Sequence, residues 1–192
     1  YETWETLAEA YYAAGNNEKT LYAAEKAGGI NGFSMKPILL AAKINLDNGD
    51  VRKALEQAQT ANRHDETDAE SLVLLAKAWI ANGNKLQALQ TLEKVSHAKN
   101  PSAQVLIEQA KMIQQVNGPA NSRVMLEALE QKYPENIEVL NLLAEAQLAA
   151  GDKQAAGMTA LRSLKVQEMQ PKMQRFIGKL DLESGHLDQA IH

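Results

Sequence analysis

The 192-residue chain has a net charge of −4, with its 20 basic and 24 acidic residues interspersed. That argues against nucleic-acid binding, which needs a concentrated basic stripe. With no cysteine there is neither a disulfide nor a thiolate metal site, and no apolar run reaches the ~18 residues of a membrane-spanning helix. The first predicted helix carries Trp4, Leu7, Ala8 and Tyr11 on one face and ends at Gly15. Asn16 then starts a second helix that turns Thr20, Ala24 and Ala27 inward. Gly28, Gly29 and Gly32 form a loose exit.

Glycine returns at Gly49, Gly83, Gly151 and Gly185, on a 34-residue interval whose one doubled step holds Asn117 followed by Gly118. A constant interval along a whole chain means stacked units, each burying its apolar face against its neighbours. The second unit offers Ile38, Ala41, Ala42, Asn45, Ala54, Ala58 and Ala61, and the third Leu72, Leu75, Ala76, Trp79, Ala88, Leu92 and Val95. The fourth offers Leu106, Gln109, Ala110, Ile113, Ser122, Leu126, Leu129 and Pro134, and the fifth Leu140, Leu143, Ala144, Gln147, Ala156, Ala160 and Ser163. A sixth begins with Ile177 and Gly178 and carries Gly185 and Ala190. Ser34, Asp68, Ser102 and Asn136 each precede a first helix, where a short oxygen-bearing side chain accepts a free backbone N–H. Gln170 is the poorer sixth case, followed by Pro171. Within each unit, Asn or Asp after the turn glycine starts the second helix. At Asn117-Gly118-Pro119 the spacing predicts an altered turn rather than a break.

The pattern Trp-x2-Leu-Ala-x2-Tyr, then Gly, then small residues at intervals resembles the tetratricopeptide repeat. The resemblance covers essentially all of the chain, in units of about 1–34, 35–68, 69–102, 103–136, 137–170 and a partial 171–192. It implies an all-α, tetratricopeptide-like α-solenoid: a right-handed superhelix of antiparallel helix pairs, read as one array. First helices would line a concave face. The start at Tyr1 and the stop inside a helical pattern read as a fragment of a longer protein, whose compartment the sequence leaves open.

No catalytic, cofactor or metal constellation is expected. The histidines His64, His97, His186 and His192 fall near turns or the chain end, and no His-Glu-x-x-His motif or phosphate loop occurs. The resemblance instead implies a scaffold that binds a protein or peptide segment in its groove. The expected partner-binding residues are Lys36, Leu39, Lys43, Leu46, Val73, Lys77, Ile80, Ile107, Lys111 and Gln114. Lys43, Lys77 and Lys111 stand in line with no carboxylate expected between them, among apolar neighbours, which suits a ligand with apolar and acidic residues. A second reading gives the apolar side chains to packing, with the lysines solvated.

The first unit's stripe carries Glu2, Glu5 and Glu9 and the sixth carries Lys172, Arg175 and Lys179. This contrast suggests a ligand of fixed polarity or head-to-tail contact. Ile177, Leu180, Leu187 and Ile191 have no following neighbour, which suggests self-association through an open end. The lysine–asparagine clamp of chaperone-tail-binding relatives is not matched, nor is the asparagine ladder of glycosyltransferase-linked ones. Two further roles stay open. One is a component of bacterial secretion or exopolysaccharide assembly; the other is the targeting arm of an enzyme whose catalytic domain lies elsewhere.

Overall fold

The structure is a computed structural model, and it describes residues 2–30 and 35–183. Every regular element among them is helical. The chain forms two compact units, Tyr1–Val105 and Leu106–His192.

In the first unit, helices α1 (Glu2–Ala13) and α2 (Asn17–Ile30), α3 (Met35–Asp47) and α4 (Val51–His64), and α5 (Ala69–Ala81) and α6 (Lys85–Val95) pair as hairpins. Each second helix also packs on the next first helix, α2 on α3 and α4 on α5, while α1, α3 and α5 touch in sequence. The inward stripe is as the spacing predicts: Ala8, Thr20, Ala27, Ala42, Ala54, Ala58, Ala61, Leu72, Ala76 and Ala88 are all fully buried. Alanine at so many contact positions lets helices approach closely without leaving voids. Around the small residues, Trp4, Leu7, Tyr11, Ile38 and Trp79 close the core from its margins.

In the second unit, α7 (Ala103–Asn117) is followed by a short 3-10 turn (Pro119–Ser122), then α8 (Arg123–Lys132), α9 (Ile137–Ala149), α10 (Lys153–Val166) and α11 (Pro171–Glu183). Its core is bulkier: Leu126, Leu140, Leu143 and Met173 are at most 1% exposed.

The turns carry the repeat's local chemistry. At Gly83 the backbone takes φ +78°, a left-handed conformation that side-chain-bearing residues adopt at a cost. Its N–H donates to Ile80 O at 2.9 Å and the next N–H, of Asn84, to Trp79 O at 2.9 Å, closing the helix end. Asn84 Oδ1 then accepts from Gln87 N at 3.2 Å, so one turn ends α5 and caps α6. The fourth turn differs as expected. Here α7 runs through Asn117, and the left-handed residue is Gly118, φ +89°. Pro119, which lacks an N–H, opens the 3-10 turn before α8.

Asp68, Ser102 and Asn136 accept N–H groups of their first helices, from Ser71 at 2.8 Å, Val105 at 3.3 Å and Val139 at 3.1 Å. Asn16 and Asp152 cap second helices in the same way. Asp50 departs from the expectation: its side chain caps nothing and pairs with Lys53 at 3.0 Å. Ser34 lies outside the described residues, as do Gly185, His186, Leu187, Ile191 and His192.

Gln170 does more than a cap. Its Nε2 donates to Ser163 O and to Gln167 O, both at 2.8 Å, satisfying carbonyls at the end of α10. Its Oε1 accepts from Asn141 Nδ2 at 2.9 Å, and Ser163 Oγ donates to Asn141 Oδ1 at 2.6 Å. One amide thus ties α9, the end of α10 and the start of α11 together. Ile177 is half-buried against Ala144, Ala160 and Met173, and Leu180 is 6% exposed beside Gly157. Both side chains are therefore packed within the unit rather than left uncovered.

Candidate functional site

The first helices of each unit present one common face. In the first unit it carries Glu5, Glu9 and Tyr12 from α1, Lys36, Lys43 and Leu46 from α3, and Glu70, Lys77 and Ile80 from α5. Tyr12, Glu9, Lys36 and Glu70 are exposed, and Lys43, Leu46, Lys77 and Ile80 are half-buried. In the second unit, α7, α9 and α11 bring Lys111, Glu138, Glu145, Lys172, Arg175 and Lys179 to the corresponding positions.

Four of the expected groove residues serve the fold. Leu39 and Val73 are 8% exposed and Ile107 is 1% exposed. A central first helix is covered on several flanks: α5 touches α3, α4 and α6. The stretch Ser71–Ala76 is therefore buried without interruption. At Leu39, Val73 and Ile107 a side chain one position off the packing stripe meets neighbouring helices. Gln114 is likewise occupied, its Nε2 donating to Ser122 Oγ and Leu142 O, each at 3.0 Å. It thereby satisfies a backbone carbonyl of α9.

The lysines are also not a bare row. Lys111 lies between two carboxylates, Glu138 at 2.5 Å and Glu108 at 3.6 Å. The hydrogen bond to Glu138 raises its amine above the ordinary lysine value, against partial desolvation. Lys36 pairs with Glu9 at 3.2 Å, and the bond to that carboxylate raises its pKa too. Lys172 pairs with Glu145 at 2.7 Å.

These bridges obey one rule. A residue of one first helix meets the residue 27 positions later on the next first helix, 9 with 36, 111 with 138 and 145 with 172. The signs are opposite each time, and Lys43 and Glu70 repeat that complementarity in sequence. The rule is legible as one repeat less two helical turns, 34 − 7, which joins residues on neighbouring helices rather than within one. Counting charges along a single stripe does not find it.

Among the described residues, no group of three His, Asp or Glu side chains is placed to hold a metal ion. His64 and His97 are exposed. The outer side of α6 has an open depression of about 430 Å³ lined by Gln87, Gln90, Thr91, Glu93, Lys94 and His97. No described helix is long and apolar enough to cross a membrane.

Paired helices on a 34-residue interval, with left-handed glycine turns and first helices sharing one face, define a helical-repeat protein of the kind that serves protein–protein interaction. Residues 45–111 match the family model for the tetratricopeptide repeat.

Solved structures with this fold include a Pseudomonas aeruginosa protein, pilF, with TM-score 0.81 and 16% identity, covering 99% of this chain and 86% of that one. TTC0263, a thermophilic tetratricopeptide protein of Thermus thermophilus, aligns with TM-score 0.66 and 18% identity over 94% of this chain and 98% of its own. YrrB, described as having an unusual peptide-binding site, aligns with TM-score 0.68 and 11% identity over 96% of this chain and 91% of its own. No curated protein matches the chain.

Proposed function

We propose that the chain is a non-catalytic scaffold that takes a peptide or protein segment on its first-helix face. The observation that carries this reading lies in the first unit. Lys43 and Lys77 occupy the same register on α3 and α5, and half-buried Leu46 and Ile80 lie one turn beyond each. A ligand carboxylate set near the amines, with an apolar side chain one turn along, would complement both kinds of group. The peptide-binding site named for YrrB, which shares the fold, supports the same reading.

The test is a peptide-display selection against the native chain, followed by affinity measurement on the Lys43→Glu/Lys77→Glu variant. Selected peptides should carry an acidic residue beside an apolar one. They should lose affinity by about tenfold or more while helical circular dichroism is unchanged. Equal affinity for native chain and variant overturns the reading. Lys111 is left out of this variant because its bridge to Glu138 connects α7 to α9.

A further inference from the structure

The outward sides of the second helices share a register too: Tyr22, Glu56, Gln90, Val124 and Met158 are successive 34-residue steps. In the first unit this row is polar or engaged. Tyr22 stands edge-on to the Trp4 ring, centroids 5.9 Å apart, with Lys26 over its own ring. Glu56 and Gln90 face solvent.

In the second unit the row turns apolar and stays open. Val124 is 79% exposed and Met158 56%, and Leu161, one turn past Met158, is 58% exposed. Earlier repeats hold Glu25, Gln59, Glu93 and Glu127 at the Leu161 register. A cluster of large apolar side chains left in water within a polar rim marks a contact surface.

Two ion pairs hold these residues in one patch. Arg123 Nη2 bonds Asp152 Oδ2 at 3.2 Å, joining the start of α8 to the start of α10. Arg162 pairs with Glu130, joining the later halves of the same helices. Val124 and Met158 sit between the two ties. The strip closes on Lys132 and Lys165, in the last turns of α8 and α10. The other cations of these helices are taken, Arg123 and Arg162 as above and Lys153 by Glu183 at 2.9 Å. Lys132 lies over the Tyr133 ring, and Lys165 meets no carboxylate among the described residues. Two copies packed patch to patch with their helices parallel would set Lys132 and Lys165 against their own counterparts, which opposes that self-pairing.

From an apolar strip ending in two cations we infer that the outer face of α8 and α10 docks an amphipathic helix of another protein, its apolar side on Val124, Met158 and Leu161 and its acidic end at Lys132 and Lys165. This surface is separate from the first-helix face.

The test uses a fluorescein-labelled synthetic helix with leucines along one side and a run of glutamates at one end, and a twin with lysines at that end. Anisotropy with the native chain should show the acidic peptide binding about tenfold or more tighter than the twin. Met158→Glu/Leu161→Glu should abolish that binding, and Lys132→Glu/Lys165→Glu should reverse the preference. Lys43→Glu/Lys77→Glu should leave it unchanged, so failure here is distinct from failure of the first-helix reading. The exposed patch substitutions should leave circular dichroism as it was.

Equal binding of the two peptides, or binding indifferent to the patch variants, overturns the inference. So does a concentration-dependent dimer in sedimentation that Met158→Glu/Leu161→Glu abolishes, which gives the face to a second copy. Co-sedimentation with phosphatidylcholine–phosphatidylglycerol vesicles that is lost in the same variant gives it to lipid and equally overturns it.

Discussion

At two inward positions of the second helices, α4 of the first unit carries Ala58 and Ala61, and α8 of the second carries Leu126 and Leu129 at the same registers. All four are buried. On the outward side the contrast runs from Glu56 and Gln90 to Val124 and Met158. The same two-helix hairpin thus accepts a small residue or a large one inside, and a polar or an apolar one outside. The interval constrains turn and contact positions, while side-chain volume is settled locally between neighbouring helices. Function is then expected where the units diverge outward, because a stack of this kind is indifferent to what its outer rows carry.

Exchanging the two residues at one inward register should hurt in both directions. Leu126→Ala should cost about 2–5 kcal/mol, from lost burial and the cavity left behind. Ala58→Leu should cost about 1–3 kcal/mol by overpacking a site with no exposed area. Urea unfolding of each variant checks the pair, and a neutral Ala58→Leu would show the first unit to be loosely packed there.

Two glycines sharpen the comparison by their opposite signs. Gly83→Ala should destabilise by about 1–2 kcal/mol. An added Cβ meets nothing within 4 Å, so the cost is the left-handed backbone alone. Gly157 lies inside α10, and its added Cβ would make only ordinary contact, with Leu180 Cδ1 at 4.0 Å. Gly157→Ala should therefore stabilise by about 0.5–1 kcal/mol. Thermal melts of the two variants should move apart.

The smallest effect concerns pH. The Lys111 amine is raised above its unfolded value by Glu138. Its contribution is thus full below the unfolded value near 10.5 and lost as pH rises through the higher folded one. Native chain should lose stability on that alkaline limb faster than Lys111→Gln, by a small margin because the pair is largely solvated. Superimposable limbs in pH-dependent melts would leave Lys111 without a stabilising part.

The sequence discloses turns and caps well because both are local. Gly83 needs only its own φ, and Asp68 or Asn136 reaches an N–H two or three residues away. It also discloses the inward stripe, since a 34-residue step places Ala42, Ala76, Ala110 and Ala144 alike, and all four are fully buried. The candidate site was far less legible. Leu39, Val73 and Ile107 look no different in type from Leu46 and Ile80. Only the covering neighbours decide which of them meets water. Gln170 could not be read as a clamp because its partners, Asn141 and Ser163, come from two other helices. The pairing of Lys111 hid for the same reason, its partner Glu138 being a whole hairpin away.

The bridges between successive first helices also bear on how such a chain could be rearranged by recombination. Joining the first hairpin directly to the fifth would set Glu9 against Glu138, two negative charges. Joining it to the sixth would set Glu9 against Lys172 and keep the match. Hairpins of equal shape are therefore not freely interchangeable modules: where a first helix carries such a charge, a duplication or deletion that sets a like charge after it meets electrostatic opposition at the new junction.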